Sequence, residues 1–315
     1  KDEYAGTRGF KIADILLSEI DSCKENVEIH TNTTITGFYS EDGTFTAMRG
    51  EEKYFHIKAK KTIVATGAQE RLIPFPNNDL PGVYGAGAVQ TLMNVYGVVP
   101  GKRVLMVGAG NIGLIVSYQL MQAGVEVAAV VEAAPRVGGY WVHAAKIRRM
   151  GVPILLRHSI RKAVGDQVIT GAYITALNDR FEPEGEETYV DCDVICIAVG
   201  LSPTTEILSQ AGCKMMYVPQ LCGLVARRDR TMKTSNPDFF TAGDASGIEE
   251  ASAAMVEGRI AGLSAAADLG YPTEHGKLDE YWGRLQALRS GEAGARICQG
   301  LECVLVNRWE DVSDD

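Results

Sequence analysis

The chain has 315 residues, 46% of them hydrophobic, with 34 glycines and a formal net charge of −9. That length holds two domains with full cores, and the glycine content suits α/β architecture. The negative balance argues against nucleic acid or an anionic membrane as a main partner, and no apolar run reads as a membrane span or a signal peptide.

Residues 10–23 read as an amphipathic helix, with Ile12, Ile15, Leu16, Leu17 and Ile20 on one side. Residues 27–30 read as a short strand. Residues 34–39, 45–49 and 54–57 alternate as antiparallel strands, with turns at 40–43 and 50–52. Residues 60–64 form an apolar strand that breaks at Ala65-Thr66-Gly67.

The run KKTIVATGAQERLIPFP, residues 60–76, resembles the strand and A-T-G turn of two-dinucleotide flavoproteins of the pyridine nucleotide–disulfide oxidoreductase type. The resemblance implies that this strand belongs to an FAD domain, with Ala65, Thr66 and Gly67 at the cofactor. It also implies that Asp79-Leu80-Pro81-Gly82-Val83-Tyr84 crosses into a domain for NAD, and that a nucleotide fingerprint follows.

The fingerprint lies in residues 102–132. Arg103 to Val107 is an apolar run fit for a buried parallel strand. Gly108-Ala109-Gly110-Asn111-Ile112-Gly113 is a G-x-G-x-x-G turn, residues 114–123 have helical apolar spacing, and Gly124 is a stop. A second β-rich run, 125–131, ends in Glu132, about twenty residues beyond the glycines. Gly108 allows the tight turn, Gly110 lets a pyrophosphate approach the backbone, and Gly113 lets the helix pack close on the strand. The helix N-terminus offers free N–H groups and partial positive charge to the phosphates. Glu132 can accept hydrogen bonds from the adenosine ribose and would repel a 2′-phosphate, which favours NAD over NADP. Arg136, near in sequence, keeps NADP as the alternative.

Beyond it, 153–156, 160–164, 168–176 and 187–190 read as strands, with a polar hairpin at 178–186. Residues 194–198 are another buried strand, ended by Val199-Gly200-Leu201-Ser202-Pro203. That A-V-G-x-x-P resembles the family's second strand-and-glycine turn, with Gly200 where the chain leaves the NAD domain. Residues 205–211 read as a short helix. Phe239-Phe240-Thr241-Ala242-Gly243-Asp244 is a third marker. By resemblance Asp244 holds the ribityl chain of FAD, and Gly243 lets the cofactor approach the backbone. On its own residues, a strand-end Asp reads as a cap for the next helix. Residues 249–269 form an Ala-rich helix whose N-terminus, Glu250 and Ala251, the resemblance places at the pyrimidine end of the flavin. A helix N-terminus there stabilises the negative charge of a reduced flavin. A plain packing helix has the same composition. Residues 277–288 form an amphipathic helix, 295–306 are mixed, and 311–315 are an acidic, frayed end.

Two departures from the family stand out. An FAD domain of this type begins with its own fingerprint strand, and that segment is expected before Lys1. There is also no redox disulfide: the seven cysteines (Cys23, Cys192, Cys196, Cys213, Cys222, Cys298, Cys303) include no C-x-x-C, and residues 138–143 have none. Scattered thiols fit a reduced, cytosolic setting. Cys192 and Cys196 read as core. Cys298 and Cys303 fall short of the four ligands an iron–sulfur cluster needs. His143 follows an aromatic pair and reads as structural, with a proton donor near flavin as the other reading.

The expectation is an α/β chain of two Rossmann-like three-layer domains with parallel sheets and β-meanders. The FAD-type domain is discontinuous, 1–82 and 203–270, and lacks its first βαβ unit. The NAD(P) domain is 83–202, and 271–315 is a tail. The resemblance, nearest to the FAD/NAD subunits of sarcosine-, proline- and opine-type dehydrogenases, implies an FAD-dependent oxidoreductase. It would pass a hydride between NAD(H) and flavin as one subunit of an oligomeric dehydrogenase. Its partners would be a small redox substrate or an electron-transfer subunit. The alternative is a non-catalytic subunit or fragment holding NAD or ATP. No metal site and no catalytic side chain is expected, because the cofactors carry the chemistry.

Overall fold

A computed structural model describes residues 4, 6–307 and 309. The chain falls into two compact units. One contains the residues up to Lys60 together with Gln210–Gly212, and the other holds Lys61–Ser209 and the residues from Cys213 onward.

The smaller unit has a helix, Gly9–Asp21, and a meander of strands Thr33–Tyr39, Thr44–Arg49 and Lys53–Lys58. The middle strand is buried from Thr44 to Ala47, and Thr36 and Thr46 pair across the ladder through hydroxyls 2.9 Å apart. The register slips between Ile35 and Gly37. There Gln210 Oε1 accepts the Phe38 N–H at 2.8 Å, satisfying an amide that the bulge frees. No residue of the helix is buried, although its apolar spacing is real: Phe10, Ile15, Leu17 and Ile20 are all exposed. The short strand expected at 27–30 does not form. Among the described residues this stretch has no ladder partner, and Val27 and Ile29 stand exposed.

The larger unit is built on a five-stranded parallel sheet. Its spatial order is Val83–Gly85, Val194–Ile197, Arg103–Val107, Glu126–Glu132, Ile154–Leu156. Alternation along Arg103–Val107 sorts its side chains to two faces. Val104 and Met106 join Leu114, Val116, Leu120, Val130 and Ile147 beneath the helices Ala86–Asn94, Asn111–Gln122 and Trp141–Arg149. Leu105 and Val107 join Val131, Ile160, Ile174, Ile195 and Ile197 beneath an antiparallel meander, His158–Gly165, Ile169–Leu177 and Pro183–Val190. Helices, parallel sheet and meander make three layers, and a sheet covered on both faces accounts for the near-continuous apolar strands. Fully burying a side chain such as Leu105 contributes about 1.5–3 kcal/mol.

Outside this sheet, Thr62–Val64 pairs in parallel with Phe239–Thr241. Ala68–Glu70 pairs with Leu201–Pro203, and Met215–Val218 pairs with Gly223–Ala226, both antiparallel. The Ala-rich helix spans Ala251–Asp268. Its buried residues, Ala253, Val256, Glu257, Ile260, Ala261, Ser264 and Ala265, recur at helical spacing. The apolar ones among them pack with Phe240, Trp282 and Leu285. Helices Lys277–Leu288 and Glu292–Val304 follow, so the mixed stretch at 295–306 is mostly helical. The acidic end at 311–315 lies outside the described residues.

Candidate dinucleotide and flavin site

The G-x-G-x-x-G turn joins strand Arg103–Val107 to helix Asn111–Gln122. Its three glycines are required for different reasons. Gly108 has φ +111°, and a Cβ there would stand 2.8 Å from the Ala198 carbonyl carbon. A Cβ on Gly113 would press on the Gly108 carbonyl and come within 3.1 Å of the Ala198 Cβ. Both positions are closed by backbone. Gly110 is the opposite case: a Cβ there meets nothing within 4 Å. Gly110 is the helix N-cap and has no side chain to bond the first amides. The turn therefore leaves open space beside Gly110 at the positively polarised end of the helix, the kind of cradle that takes a phosphate. Ile112 is 44% exposed on that side, whereas Ala109 is buried.

Glu132 ends the adjacent strand and bonds back to the turn. Its Oε2 accepts the Ala109 N–H at 2.7 Å, and its Oε1 accepts the Ala134 N–H at 2.9 Å. The carboxylate is thus fixed beside the first glycines before any ligand arrives. A second contact comes from the strap at 138–140. Gly139 donates its N–H to the Ala109 carbonyl at 2.9 Å, and Tyr140 donates its N–H to Asn111 Oδ1 at 2.8 Å. A Cβ on Gly139 would be 2.8 Å from the Asn111 nitrogen, so only glycine passes so close. His143 packs beside the Tyr140 ring, with centroids 6.3 Å apart.

The three resemblance markers come together in one unit. Ala198 donates its N–H to Val107 O at 2.7 Å, tying the fingerprint strand to the turn that holds Gly200. Gly200 O accepts the Arg71 N–H at 2.9 Å, and Gly67 O accepts the Thr204 N–H at 3.0 Å. Thr66 Oγ1 donates to Thr204 O at 2.6 Å. Val64 O accepts the Ala242 N–H at 3.1 Å, which sets the ends of these two parallel strands side by side, one leading into Ala65–Gly67 and the other into Gly243 and Asp244. Gly67 and Gly200 have positive φ, and a Cβ on either meets nothing within 4 Å, so both turns leave room for a ligand.

Asp244 sits in a short 3₁₀ turn, Gly243–Ser246, after strand Phe239–Thr241. Among the described residues its carboxylate accepts one hydrogen bond, from the Glu249 N–H at 3.4 Å. Burial holds its carboxyl above the usual carboxylate range; the Glu249 amide opposes that shift and the nearby Glu257 charge adds to it. A half-buried carboxylate with one long bond has acceptor capacity to spare, which fits a polyol hydroxyl. Glu250 is the N-cap of the helix beginning at Ala251 and makes no side-chain cap bond, so the first amides of that helix have no partner from the cap side chain. The residues present thus fit an FAD with its ribityl chain at Asp244.

Several contributors escape sequence reasoning. Glu70 accepts the Gly87 and Ala88 N–H groups at 2.6 and 3.3 Å, capping helix Ala86–Asn94. Arg71 donates to Ser202 Oγ at 2.7 Å and to the Cys222 carbonyl. Glu257, at 2% exposed, accepts from Gly243 N–H, Ser246 Oγ, Arg228 and Arg289. A lone acid on the buried stripe of an Ala-rich helix is the signal that could have found it. Cys192 and Cys196 are core, as expected, and burial pushes both thiols up to about 12. Among the described residues no cluster of three His, Cys, Asp or Glu could hold a metal, and no helix is long and apolar enough to cross a membrane.

The fold is that of known flavoproteins. The crystal structure of T. acidophilum thioredoxin reductase aligns with a TM-score of 0.66 at 22% identity, covering 85% of this chain and 84% of that one. In sequence, an opine oxidase subunit of Rhizobium meliloti is 31% identical over 68% of this chain and 43% of its own length. The hydrogen cyanide synthase subunit HcnB of Pseudomonas aeruginosa is 27% identical over 83% of this chain and 59% of its own length. The chain spans about half the length of such curated relatives. With residues 3–258 matching the model of the pyridine nucleotide-disulphide oxidoreductases, and the glycine turns of that fold in place, the chain belongs to that family.

Proposed function

We infer that the chain binds FAD and NAD(H) and passes a hydride between them, as one subunit of a multi-subunit oxidoreductase. The observation that supports this most is the set of main-chain bonds that ties Val107 to Ala198, Gly200 to Arg71, Gly67 to Thr204 and Val64 to Ala242, two residues before Asp244. It brings a nucleotide cradle and a flavin-type turn to one compact unit. When both cofactors are bound, nicotinamide and flavin supply the hydride chemistry. The chain's residues bind and orient. Gly110 and Asn111 offer backbone amides to the pyrophosphate. Glu132, already fixed by Ala109 and Ala134, stands for a ribose hydroxyl and against a 2′-phosphate, favouring NAD over NADP. Asp244 accepts from the ribityl chain, and the amides at Ala251 face the charge that a reduced flavin carries.

On this reading 1–82 and 203–270 make the FAD-type domain, 83–202 the NAD domain, and 271–315 a C-terminal segment. The opine oxidase and cyanide synthase relatives are named as subunits, which supports a partner chain that donates or accepts the electrons. Free, scattered cysteines support a cytosolic setting.

The test is the visible spectrum of the purified chain, recorded anaerobically before and after adding NADH. A flavin band that bleaches supports the proposal. A flavin that ignores NADH sinks the hydride step and leaves the Gly108 site as a structural nucleotide site.

A further inference from the structure

Three charged side chains are buried around the Asp244 turn, a fourth, Glu249, is half-buried beside them, and the nucleotide chemistry uses none of them. Arg228 and Glu257 are each 2% exposed and Arg289 is 7% exposed. Glu257 Oε2 accepts the Gly243 N–H at 3.0 Å and the Ser246 hydroxyl at 2.7 Å. Its Oε1 accepts from Arg228 Nη2 at 3.2 Å and from Arg289 Nη2 at 2.8 Å. Arg289 then reaches Glu249, the fourth, through a fork, Nε to Oε1 at 2.8 Å and Nη2 to Oε2 at 2.7 Å. Arg228 Nη1 holds the Ser246 carbonyl at 2.7 Å.

Both walls of the Asp244 site are therefore fastened to one network. Glu257 holds the turn, Gly243–Ser246, that carries Asp244. Arg289 holds Glu249, whose amide bonds the Asp244 carboxylate. Arg289 is the C-cap of helix Lys277–Leu288, which follows the Ala-rich helix in the chain. A planar guanidinium can bridge two carboxylates in fixed geometry, which an ammonium cannot. Burying one acid with two bases is a weak route to stability, since desolvation offsets most of the attraction. Such a network is better explained by what it orients.

We propose that Glu257 and Arg289 are positioning residues for the flavin. Through them the segment after the Ala-rich helix is part of the flavin site, because it sets where the Asp244 carboxylate stands. The proposal rests on the flavin reading of Asp244 and goes beyond it by assigning the site's geometry to Arg289.

The experiment measures FAD affinity by quenching of flavin fluorescence, NADH affinity by titration, and amide hydrogen exchange at residues 243–249. The variants are Asp244→Asn, Glu257→Gln, Arg289→Met and Arg289→Lys. Arg289→Met and Glu257→Gln are expected to weaken FAD by at least about tenfold, as removal of one partner of a buried charged pair should. The Gly243 and Glu249 amides should exchange faster, while NADH affinity stays the same. Arg289→Lys should recover only part of the loss. If Arg289→Met does not fold, Arg289→Lys decides by the same readouts, because it keeps the charge and removes the fork. FAD affinity and exchange unchanged in the Arg289 variants, with Asp244→Asn losing FAD, would overturn the proposal. FAD affinity unchanged in Asp244→Asn would instead overturn the flavin reading beneath it.

Discussion

The two turns proposed to hold ligands in this unit are built by opposite means. The Gly108 turn is made of backbone against backbone. Its closeness is enforced by absent side chains, and its supports are Leu105, Met106, Ile195 and other apolar residues of the sheet. The Asp244 turn is held by a charged network drawn from four separate places, buried Arg228, Glu257 and Arg289 and half-buried Glu249. The first tolerates no added volume at Gly108 or Gly113. The second is sensitive to any change in charge or hydrogen-bond count. A turn that must admit a pyrophosphate needs free space and amides, whereas a turn that must hold a carboxylate half-buried needs fixed donors around it.

The sharpest way to break the comparison is to add volume to the first turn. Gly108→Val drives a branched Cβ into the Ala198 carbonyl at a positive φ, and is expected to cost more than about 4 kcal/mol, read as loss of the cooperative unfolding transition. Removing apolar support should be milder: Leu105→Ala is expected to cost about 2–5 kcal/mol in denaturant unfolding. Gly110→Ala separates fold from ligand. Its Cβ enters open space, so stability should change by less than about 0.5 kcal/mol, yet nucleotide affinity should fall because the pyrophosphate needs that space. A nucleotide affinity left intact by Gly110→Ala would remove the site from this turn. Glu132→Gln should narrow the preference for NAD over NADP by about tenfold, the worth of a charged hydrogen bond.

The smallest expected effect concerns pH. The folded-state pKa of Asp244 is raised, so its ionised form is disfavoured by folding. Its contribution is fully present below the unfolded carboxylate pKa and is lost as pH rises through the folded value. Asp268 runs the other way. Burial would raise its pKa, but hydrogen bonding to Lys233, with the Lys233 and Lys61 charges, lowers it overall. Its contribution is lost as pH falls. In ligand-free protein Asp244→Asn should therefore flatten stability above the carboxylate range, and Asp268→Asn should flatten it below. Thermal unfolding across pH 3 to 8 (about the span that brackets both) checks both signs.

The first turn is readable from the amino-acid string because its parts are contiguous. Strand, glycines, helix and Glu132 lie within one short run, and each carries its own local signal. The charged network has no such signature: Arg289 reads as an ordinary helix-end cation until the chain folds. Strands of three residues, such as Ala68–Glu70, Val83–Gly85 and Leu201–Pro203, are too short to show a period. Residues 27–30 have strand composition but no ladder partner among the described residues, and composition alone does not make a ladder. The helix Lys277–Leu288 is legible to its ends because its apolar stripe is regular and Gly276 precedes it.

The strand order carries a consequence for how the protein is made. Val194–Ile197 lies between Val83–Gly85 and Arg103–Val107, and it is the partner through which Val83–Gly85 joins the parallel sheet. A nascent chain cannot close that sheet until synthesis has passed Ile197. Until then one edge of Arg103–Val107 is open, with apolar side chains on both faces. Such an edge is a template for pairing with another chain, and its wait is lengthened by the intervening meander. Ribosome-bound chains stopped before residue 194 should therefore be the ones that recruit chaperones, and chains stopped well after it should not.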